Sequence, residues 1–259
     1  MKRIIPLLIA FVLQSCNFLS GKSDEKSSKI NSGNEKLSTV DYNAIIGKSE
    51  IDGMALEILD LGNINLPSGK IIASDPLANS DTIPFSQKVS PGKYPVKVYV
   101  AKTPDSGDRY ALAQIQFSNK NAVKWVLAVK ENENIRDLKT DDSFFGFPVD
   151  AGVGSFYDYE TAIEYQKFQD RFYKSDSSKN IYDDFFADEF TKSAVDQNDP
   201  ADIGDWVNYT FPATNLNIVM FHSGFGDGIY PAYWGVDAQE EITSLVIDFF
   251  VVDVPEFKK

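Results

Sequence analysis

The fold is best predicted from residues 215–253, NLNIVMFHSGFGDGIYPAYWGVDAQEEITSLVIDFFVVD. Three apolar runs occur in this stretch, at residues 218–221, 229–234 and 242–252. Their connections are short and rich in glycine or polar residues, and such connections usually join antiparallel neighbours. The third run is almost uniformly apolar, which is typical of a strand covered on both faces. We therefore predict a three-stranded meander with its last strand at the centre of a sheet.

A second meander is predicted earlier in the chain. Apolar residues alternate with polar ones around residues 96–100, and two further strand-like runs follow at 109–117 and 122–130. Alternation with a period of two is the pattern of a strand with one buried face. The segment before them, residues 46–74, contains short apolar pieces broken by glycine and proline, which indicate short strands.

The chain changes its periodicity after the second meander. Within residues 157–173, large apolar residues recur every three or four positions, which predicts a helix with one buried face. A second, shorter helix is predicted over residues 180–192. The expected fold is mainly β (α+β), with antiparallel meanders in a sandwich-like sheet core and one or two helices packed at the side.

The amino terminus has the features of an export signal. Lys2 and Arg3 precede the apolar run 4–13, which is too short to cross a bilayer as a helix. The run ends in Leu-Gln-Ser-Cys, which resembles the bacterial lipobox and implies cleavage before Cys16 and its lipidation, including palmitate. Cys16 is the only cysteine in the chain, although an ordinary signal with an incidental cysteine is the alternative interpretation.

Three segments are expected in the chain as a whole. Residues 1–15 are a lipoprotein signal peptide, residues 16–45 are the lipidated cysteine and a disordered tether, and residues 46–259 are a single folded domain. Lipid would then bind the protein to a membrane of the cell envelope. Asn17 follows the cysteine, and by resemblance to lipoproteins of two-membrane bacteria the absence of Asp there favours the outer membrane.

The charge of the chain argues against one class of partner. Its net charge at pH 7 is −13, and removal of Lys2 and Arg3 with the signal leaves −13 − 2 = −15. An acidic surface repels phosphate backbones, so nucleic acid is not an expected partner. A protein or a glycan is the expected class of ligand.

Five further segments carry a family resemblance. They are ASDPL (73–77), VSPGKYPVKV (89–98), FFGFPVDAGVGSF (144–156), SGFGDGIYPAYWGVD (223–237) and SLVIDF (244–249). Together they resemble the bacterial family catalogued as domain of unknown function 4241, with Phe225 where the family often has Trp and Phe147-Pro148 replacing a more usual Tyr-Gly pair. The resemblance implies a shared fold, no assigned reaction and no catalytic residues.

Two aspartates are candidates for catalysis. Asp150 precedes Ala-Gly-Val-Gly and Asp227 lies in Gly-Asp-Gly, so both would meet if the two glycine-rich loops meet. Paired carboxylates perform general acid–base hydrolysis in glycosidases. The alternative is that each aspartate caps its own turn. Asp237 and Asp248 are further aspartates of this region, but Asp227 and Asp237 lie at opposite ends of one short strand and are not expected to share a site.

Four aromatic residues are candidates for binding. Phe225, Tyr230, Tyr233 and Trp234 would form an exposed platform for a sugar or a peptide if they share a surface. The alternative is that they belong to the core, as aromatic residues of a sheet more often do.

Other kinds of site have weaker sequence support. His222 is adjacent to Ser223, but neighbours on a strand point to opposite faces and do not form a catalytic pair. The chain has too few His and Cys for zinc, and Gly-x-Gly-x-Gly at 224–228 lacks the dinucleotide spacing. Residues 196–205 offer oxygen ligands of the kind that calcium prefers, and the alternative is a solvated acidic loop. The aspartates and asparagine concerned are Asp196, Asn198, Asp199, Asp202 and Asp205. We predict no metal and no cofactor.

The sequence leaves three functional hypotheses. The first is a non-catalytic binding or interaction module, which rests on the missing nucleophile, metal and cofactor signatures. The second is a hydrolase that uses Asp150 and Asp227 on an envelope polymer. The third is immunity against a secreted basic toxin, which an acidic surface would fit. The sequence does not decide whether the protein is an enzyme, and the missing signatures favour a non-catalytic role.

Overall fold

A computed structural model describes residues 29–30, 35–78 and 80–257. Cys16 and the predicted signal peptide lie outside the described residues. The strands, in chain order, are β1 (Glu50–Ile51), β2 (Met54–Leu66), β3 (Ile71–Ser74), β4 (Gly92–Thr103), β5 (Gly107–Gln116), β6 (Lys124–Leu127), β7 (Phe147–Val149), β8 (Val153–Asp158), β9 (Trp206–Thr210), β10 (Asn217–His222), β11 (Gly228–Tyr230), β12 (Ala232–Val236) and β13 (Ile242–Asp248).

The strands form two stacked sheets and a small ribbon. A seven-stranded sheet has the order β1-β2-β4-β5-β13-β12-β6, and a four-stranded sheet has the order β3-β8-β10-β9. β7 and β11 pair with each other as a separate two-stranded ribbon. The strands in all three are antiparallel, so the fold is mainly β with a sandwich-like core, as the sequence predicted.

The main hydrophobic core fills the space between the two sheets. The inward side chains include Ile64, Val98, Ile115, Leu245 and Ile247 from the larger sheet and Phe156, Val219 and Phe221 from the smaller one. Burial of this apolar surface is the dominant favourable contribution to folding. The prediction of a central last strand is confirmed, because β13 lies between β5 and β12 and all seven of its residues are buried.

Helices cover the outer face of the four-stranded sheet. Helix α1 (Tyr159–Ser175) begins at Asp158, whose side chain accepts a hydrogen bond from the backbone N–H of Glu160. Helix α2 (Ala187–Phe190) is a short helix between a π-helical turn (Tyr182–Phe186) and a 3-10 turn (Thr191–Ser193). Both predicted helical regions are therefore helical. Among the described residues, no helix combines the length and apolar character needed to cross a membrane.

Both predicted meanders are corrected in their strand pairing. β10 belongs to the four-stranded sheet, so it does not pair with the strands that follow it, and the hairpin of β12 and β13 lies between β5 and β6. The glycine-rich connection after β10 does not reverse the chain onto the same sheet. Instead it crosses to the larger sheet through the β7–β11 ribbon, with Gly224 and Gly226 at positive φ.

The folded region also begins earlier than residue 46, where the sequence placed it. Tyr42 and Ile45 are buried on the outer face of the seven-stranded sheet, and Ile30 reaches the main core. The ring of Tyr42 packs edge-on against Trp125, with centroids 5.2 Å apart. In the sequence these apolar residues are isolated among polar ones, a pattern that predicts a tether and does not reveal long-range packing.

Candidate functional site

The two candidate aspartates lie at one end of the β7–β11 ribbon. Val149 pairs with Gly228, so Asp150 and Asp227 are the facing residues just beyond the last pair. Both residues are exposed, and neither lines the clefts described below. The ribbon therefore brings the two glycine-rich loops together, and both aspartates are exposed at its end.

A third aspartate, Asp75, holds one of these loops in place. Asp75 is fully buried, and its Oδ2 accepts hydrogen bonds from the backbone N–H groups of Asp150 (2.9 Å) and Ala151 (2.6 Å). Its Oδ1 accepts from the backbone N–H groups of Leu77 and Ala78. The sequence identified a turn at residues 74–77, but the tie to a loop 75 residues away has no local signal.

The four aromatic residues do not share one surface, and the alternative interpretation, that they belong to the core, holds for Tyr230 and Trp234. Trp234 and Tyr230 are buried in the core between the sheets. Tyr233 points to the opposite face of β12, as the period of a strand requires, and packs against Tyr42. Only Phe225 is largely exposed, at 60%, with the guanidinium of Arg109 5.7 Å from its ring centroid.

His222 and Ser223 do not act on each other. The hydroxyl of Ser223 donates to the carbonyl of Gly226 (2.9 Å), and the side chain is buried. His222 Nδ1 lies 3.1 Å from Asp205 Oδ1, and its ring stacks on Phe190. Among the described residues, His222 therefore contacts Asp205 and Phe190 while the hydroxyl of Ser223 bonds Gly226, in agreement with the expectation from the sequence.

The acidic loop at residues 196–205 is organised by its own backbone. Oδ2 of Asp202 accepts hydrogen bonds from the N–H groups of Asp196 and Val195, and Oδ1 accepts from Gly204. These bonds hold the pKa of Asp202 below its ordinary value, and the bond from the N–H of Asp196 has the largest effect. Within the part of the chain that the structure describes, no group of His, Cys, Asp or Glu is arranged to hold a metal ion.

One cleft, of about 420 Å³, has a buried acid in its wall; we call it the aspartate cleft. It lies between the amino-terminal segment and the chain after β13, and Tyr42, Tyr233, Asp248, Phe144 and Phe250 line it. The hydroxyl of Tyr42 donates to Asp248 Oδ2 (2.9 Å), and the backbone N–H of Phe250 donates to Oδ1 (2.8 Å). The acid therefore fastens the amino-terminal segment to the end of the central strand.

Burial changes the titration of the groups in the aspartate cleft. Loss of solvent raises the pKa of Asp248, although the bonds from Phe250 and Tyr42 oppose the rise. Burial and then the charge of Asp248 raise the pKa of Tyr233 to about 12. The pKa of Tyr42 is raised still further, first by burial and then by Asp248. Both tyrosines are therefore neutral hydrogen-bonding groups at physiological pH.

A wider cleft lies at the seam between the two sheets; we call it the asparagine cleft. Its volume is about 530 Å³, within the range of small-molecule sites. Five amide side chains from three strands and one loop line it: Asn63, Asn65, Asn208, Asn215 and Asn217. The indole of Trp206 and the hydroxyl of Thr210 also line it, and Lys93 is its one ionisable side chain among the described residues.

Two of the amides, Asn208 and Asn217, are fixed by hydrogen bonds. Asn208 Nδ2 donates to the carbonyl of Leu61 (2.8 Å), and Asn217 Nδ2 donates to the carbonyl of Asn63 (2.9 Å). Asn217 Nδ2 also donates to Asn208 Oδ1 (2.6 Å), while Asn217 Oδ1 accepts from the backbone N–H of Asn65 (2.8 Å). These two side chains therefore occupy the free backbone edge of β2.

The other amides remain available to a ligand. Asn65 Nδ2 donates to the carbonyl of Asn215 (2.8 Å). No hydrogen bond within the described part of the chain involves the side chains of Asn63 or Asn215, or Oδ1 of Asn65. Asn63 and Asn215 are exposed at the mouth of the cleft. The site thus has a rigid inner layer and an outer layer with free donors and acceptors.

Sequence reasoning missed the asparagine cleft, although part of its signal was present. Asn63 and Asn65 are separated by one residue, as are Asn215 and Asn217, and this spacing places both members of a strand pair on one face. Asparagine is depleted in strands, so its repetition at this spacing needs a reason. The pairing of distant segments cannot be read from this pattern.

The fold and the clefts together define the class of protein. The chain is a mainly β sandwich with a polar seam cleft, and its described residues form neither a metal site nor an enclosed catalytic pair. A family model, protein of unknown function (DUF4241), matches residues 64–247, more than half of the chain, so the protein belongs to that family. Comparison with curated proteins and with solved structures gives no match.

Asp75 is expected to be important for stability and Asp150 is not. The Asp75 carboxylate accepts four backbone N–H groups, two on each oxygen, and Asp75→Asn leaves only one acceptor oxygen, so two partly buried donors lose their partner. We expect a loss of about 3 kcal/mol in the free energy of unfolding, measured by urea denaturation. Asp150→Asn is the matched control and should change the stability little, because its side chain is exposed. Equal stability of the two variants would contradict the assigned role of Asp75.

Asp248 is expected to make stability depend on pH. A raised pKa in the folded state stabilises the fold below the unfolded pKa of aspartate, and this contribution is lost as the pH rises through the folded pKa. Asp248→Asn removes this term. The stability of the variant minus that of the wild type should therefore increase between about pH 4 and pH 7 in urea denaturation. A difference that is constant or falls over this range would contradict the assignment.

Proposed function

We propose that the protein is a non-catalytic binding module of the bacterial cell envelope, held on a membrane by lipid on Cys16. Its ligand binds in the asparagine cleft. The hydrolase at Asp150 and Asp227 is the second candidate, because the pairing of Val149 with Gly228 joins the two loops that carry these aspartates.

The lining of the asparagine cleft is the observation that supports binding. General acid–base chemistry needs groups that gain and lose a proton near the reacting atoms. Amide side chains do not titrate, and Thr210 has neither a histidine nor a carboxylate beside it among the residues that line this cleft. Such a surface recognises a ligand by hydrogen bonds and shape and leaves its covalent bonds intact.

The position of the anchor is compatible with this role. Cys16 precedes Ile30, the first buried residue of the described chain, by 14 residues (30 − 16). A chain of this length spans up to about 50 Å when extended. The lipid would thus hold the domain on the membrane and leave the cleft accessible to other envelope components.

Loss of the only thiol should release the protein from membranes. We expect Cys16→Ser to move most of the protein from the membrane fraction to the soluble fraction and to abolish incorporation of labelled palmitate. Ser20→Ala, four residues further on, is the control and should remain with the membrane. If the Cys16 variant sedimented with membranes as the wild type does, the anchor would be wrong.

Capture of a ligand should be separable from turnover. The full-length protein is immobilised in detergent and incubated with envelope extract, and the recovered component is compared by mass before and after a long incubation. We expect an unchanged mass, and loss of capture in Trp206→Ala but not in Asn198→Ala, an exposed asparagine outside the cleft.

The double variant Asp150→Asn/Asp227→Asn distinguishes the two candidate functions. We expect it to capture the same component with the same mass as the wild type. Shortening of the component by the wild type but not by the double variant would favour the hydrolase and contradict the binding module.

A further inference from the structure

We propose that the ligand of the asparagine cleft is a neutral oligosaccharide segment. The inference rests on the binding function proposed above and adds the chemical class of the ligand. Three properties of the cleft support it: its free amides, its indole surface and its charge.

The amides match the chemistry of sugar hydroxyls. A hydroxyl both donates and accepts, and an asparagine side chain offers an acceptor oxygen and two N–H donors on adjacent atoms. The free side chains of Asn63 and Asn215 stand at the mouth of the cleft, and the locked pair of Asn208 and Asn217 lies behind them. Because the inner layer is already ordered, little conformational freedom remains to be lost when a ligand binds.

Trp206 supplies the apolar part of the surface. The residue is half-buried, and its inner side packs against the main core. The indole also lines a second cleft of about 130 Å³ beside the first, shared with Asn208. A sugar ring has one face of C–H groups that packs on an indole, while its hydroxyls reach the surrounding polar groups. Two adjoining clefts provide room for more than one sugar unit.

The backbone beside these side chains is shaped to admit them. Gly62 has φ +80°, and a Cβ atom there would lie 3.1 Å from Asn208 Nδ2. A larger residue would therefore be strained and would push against the locked amide pair. The close approach of β2 to Asn208 depends on this glycine.

The charge of the cleft argues against ionic ligands. Lys93 is its one ionisable side chain among the described residues, so it lacks the arginine cluster that binds phosphates and the carboxylates that bind cations. The protein as a whole has a charge of −13, which repels polyanions.

An extended peptide is also disfavoured. Peptides often add to a sheet by pairing with a free strand edge. At the asparagine cleft, the edge groups of β2 are the carbonyls of Leu61 and Asn63 and the N–H of Asn65. The side chains of Asn208 and Asn217 already bond all three. The edge is therefore closed to a new strand.

The test measures binding of the full-length protein in detergent to soluble polysaccharides. The neutral probes are dextran, galactomannan, a β-1,3-glucan and chitin oligosaccharides. Dextran sulfate is the anionic control for dextran. We expect at least one neutral probe to bind, and dextran sulfate to bind more weakly than dextran. The opposite order for the two dextrans would overturn the inference.

Variants then place the binding in the cleft. Trp206→Ala should weaken binding of the neutral probe at least about tenfold, and Asn63→Ala and Asn215→Ala should each weaken it about fivefold. Asn63 and Asn215 make no side-chain hydrogen bonds in the described fold, so their thermal unfolding should match that of the wild type. Asn198→Ala is the control with unchanged affinity. Binding that survives all three cleft variants would overturn the inference.

The result also separates this inference from the proposed function. If no neutral probe binds while envelope extract still yields a component that Trp206→Ala fails to capture, the ligand class is wrong and the binding module stands. If neither the probes nor the extract provides a ligand that depends on the cleft, both proposals fail.

Discussion

The packing of the two sheets against each other depends on how the unpaired edge of β2 is closed. β1 pairs with β2 only at Met54 and Ala55, so among the described residues no strand pairs with the second half of β2 on that side. Buried backbone groups without partners are costly, and an open edge invites aggregation. Asn208 and Asn217, from the opposite sheet, take the place of a strand by bonding the carbonyls and N–H groups of this edge. The same contacts seal the core and form the floor of the asparagine cleft.

The sequence predicted the elements whose signal is local. The uniformly apolar run 242–252 predicts a central strand, of which β13 forms Ile242–Asp248, and an apolar stripe predicts helix α1. The pairing of β10 was missed for a physical reason. Its side chains Ile218 and Met220 face the helices while Val219 and Phe221 face the core, and a strand that is apolar on both faces gives no indication of which sheet contains it.

The site was less predictable than the fold, because its groups are brought together only by long-range contacts. The glycine-rich loops identify Asp150 and Asp227, and the β7–β11 ribbon joins these loops, but no local pattern tells whether a cleft surrounds the two aspartates. Trp234 was a candidate for a surface platform or for the core, and its position on β12 places it in the core. Asn208 and Asn217 bond residues of β2 that lie more than 140 positions earlier in the chain. No local sequence pattern indicates such a contact.

The most direct test of this account is backbone hydrogen exchange, measured by NMR at Asn65 in the wild type and in Asn217→Ala. The N–H of Asn65 donates to the Asn217 side chain, whereas its neighbour Ile64 pairs with Tyr94 of β4. We predict that Asn65 is protected in the wild type and exchanges at least about tenfold faster in the variant, while Ile64 remains protected. Rapid exchange of Asn65 in the wild type, or an unchanged rate in the variant, would contradict the closure of the β2 edge by side-chain amides.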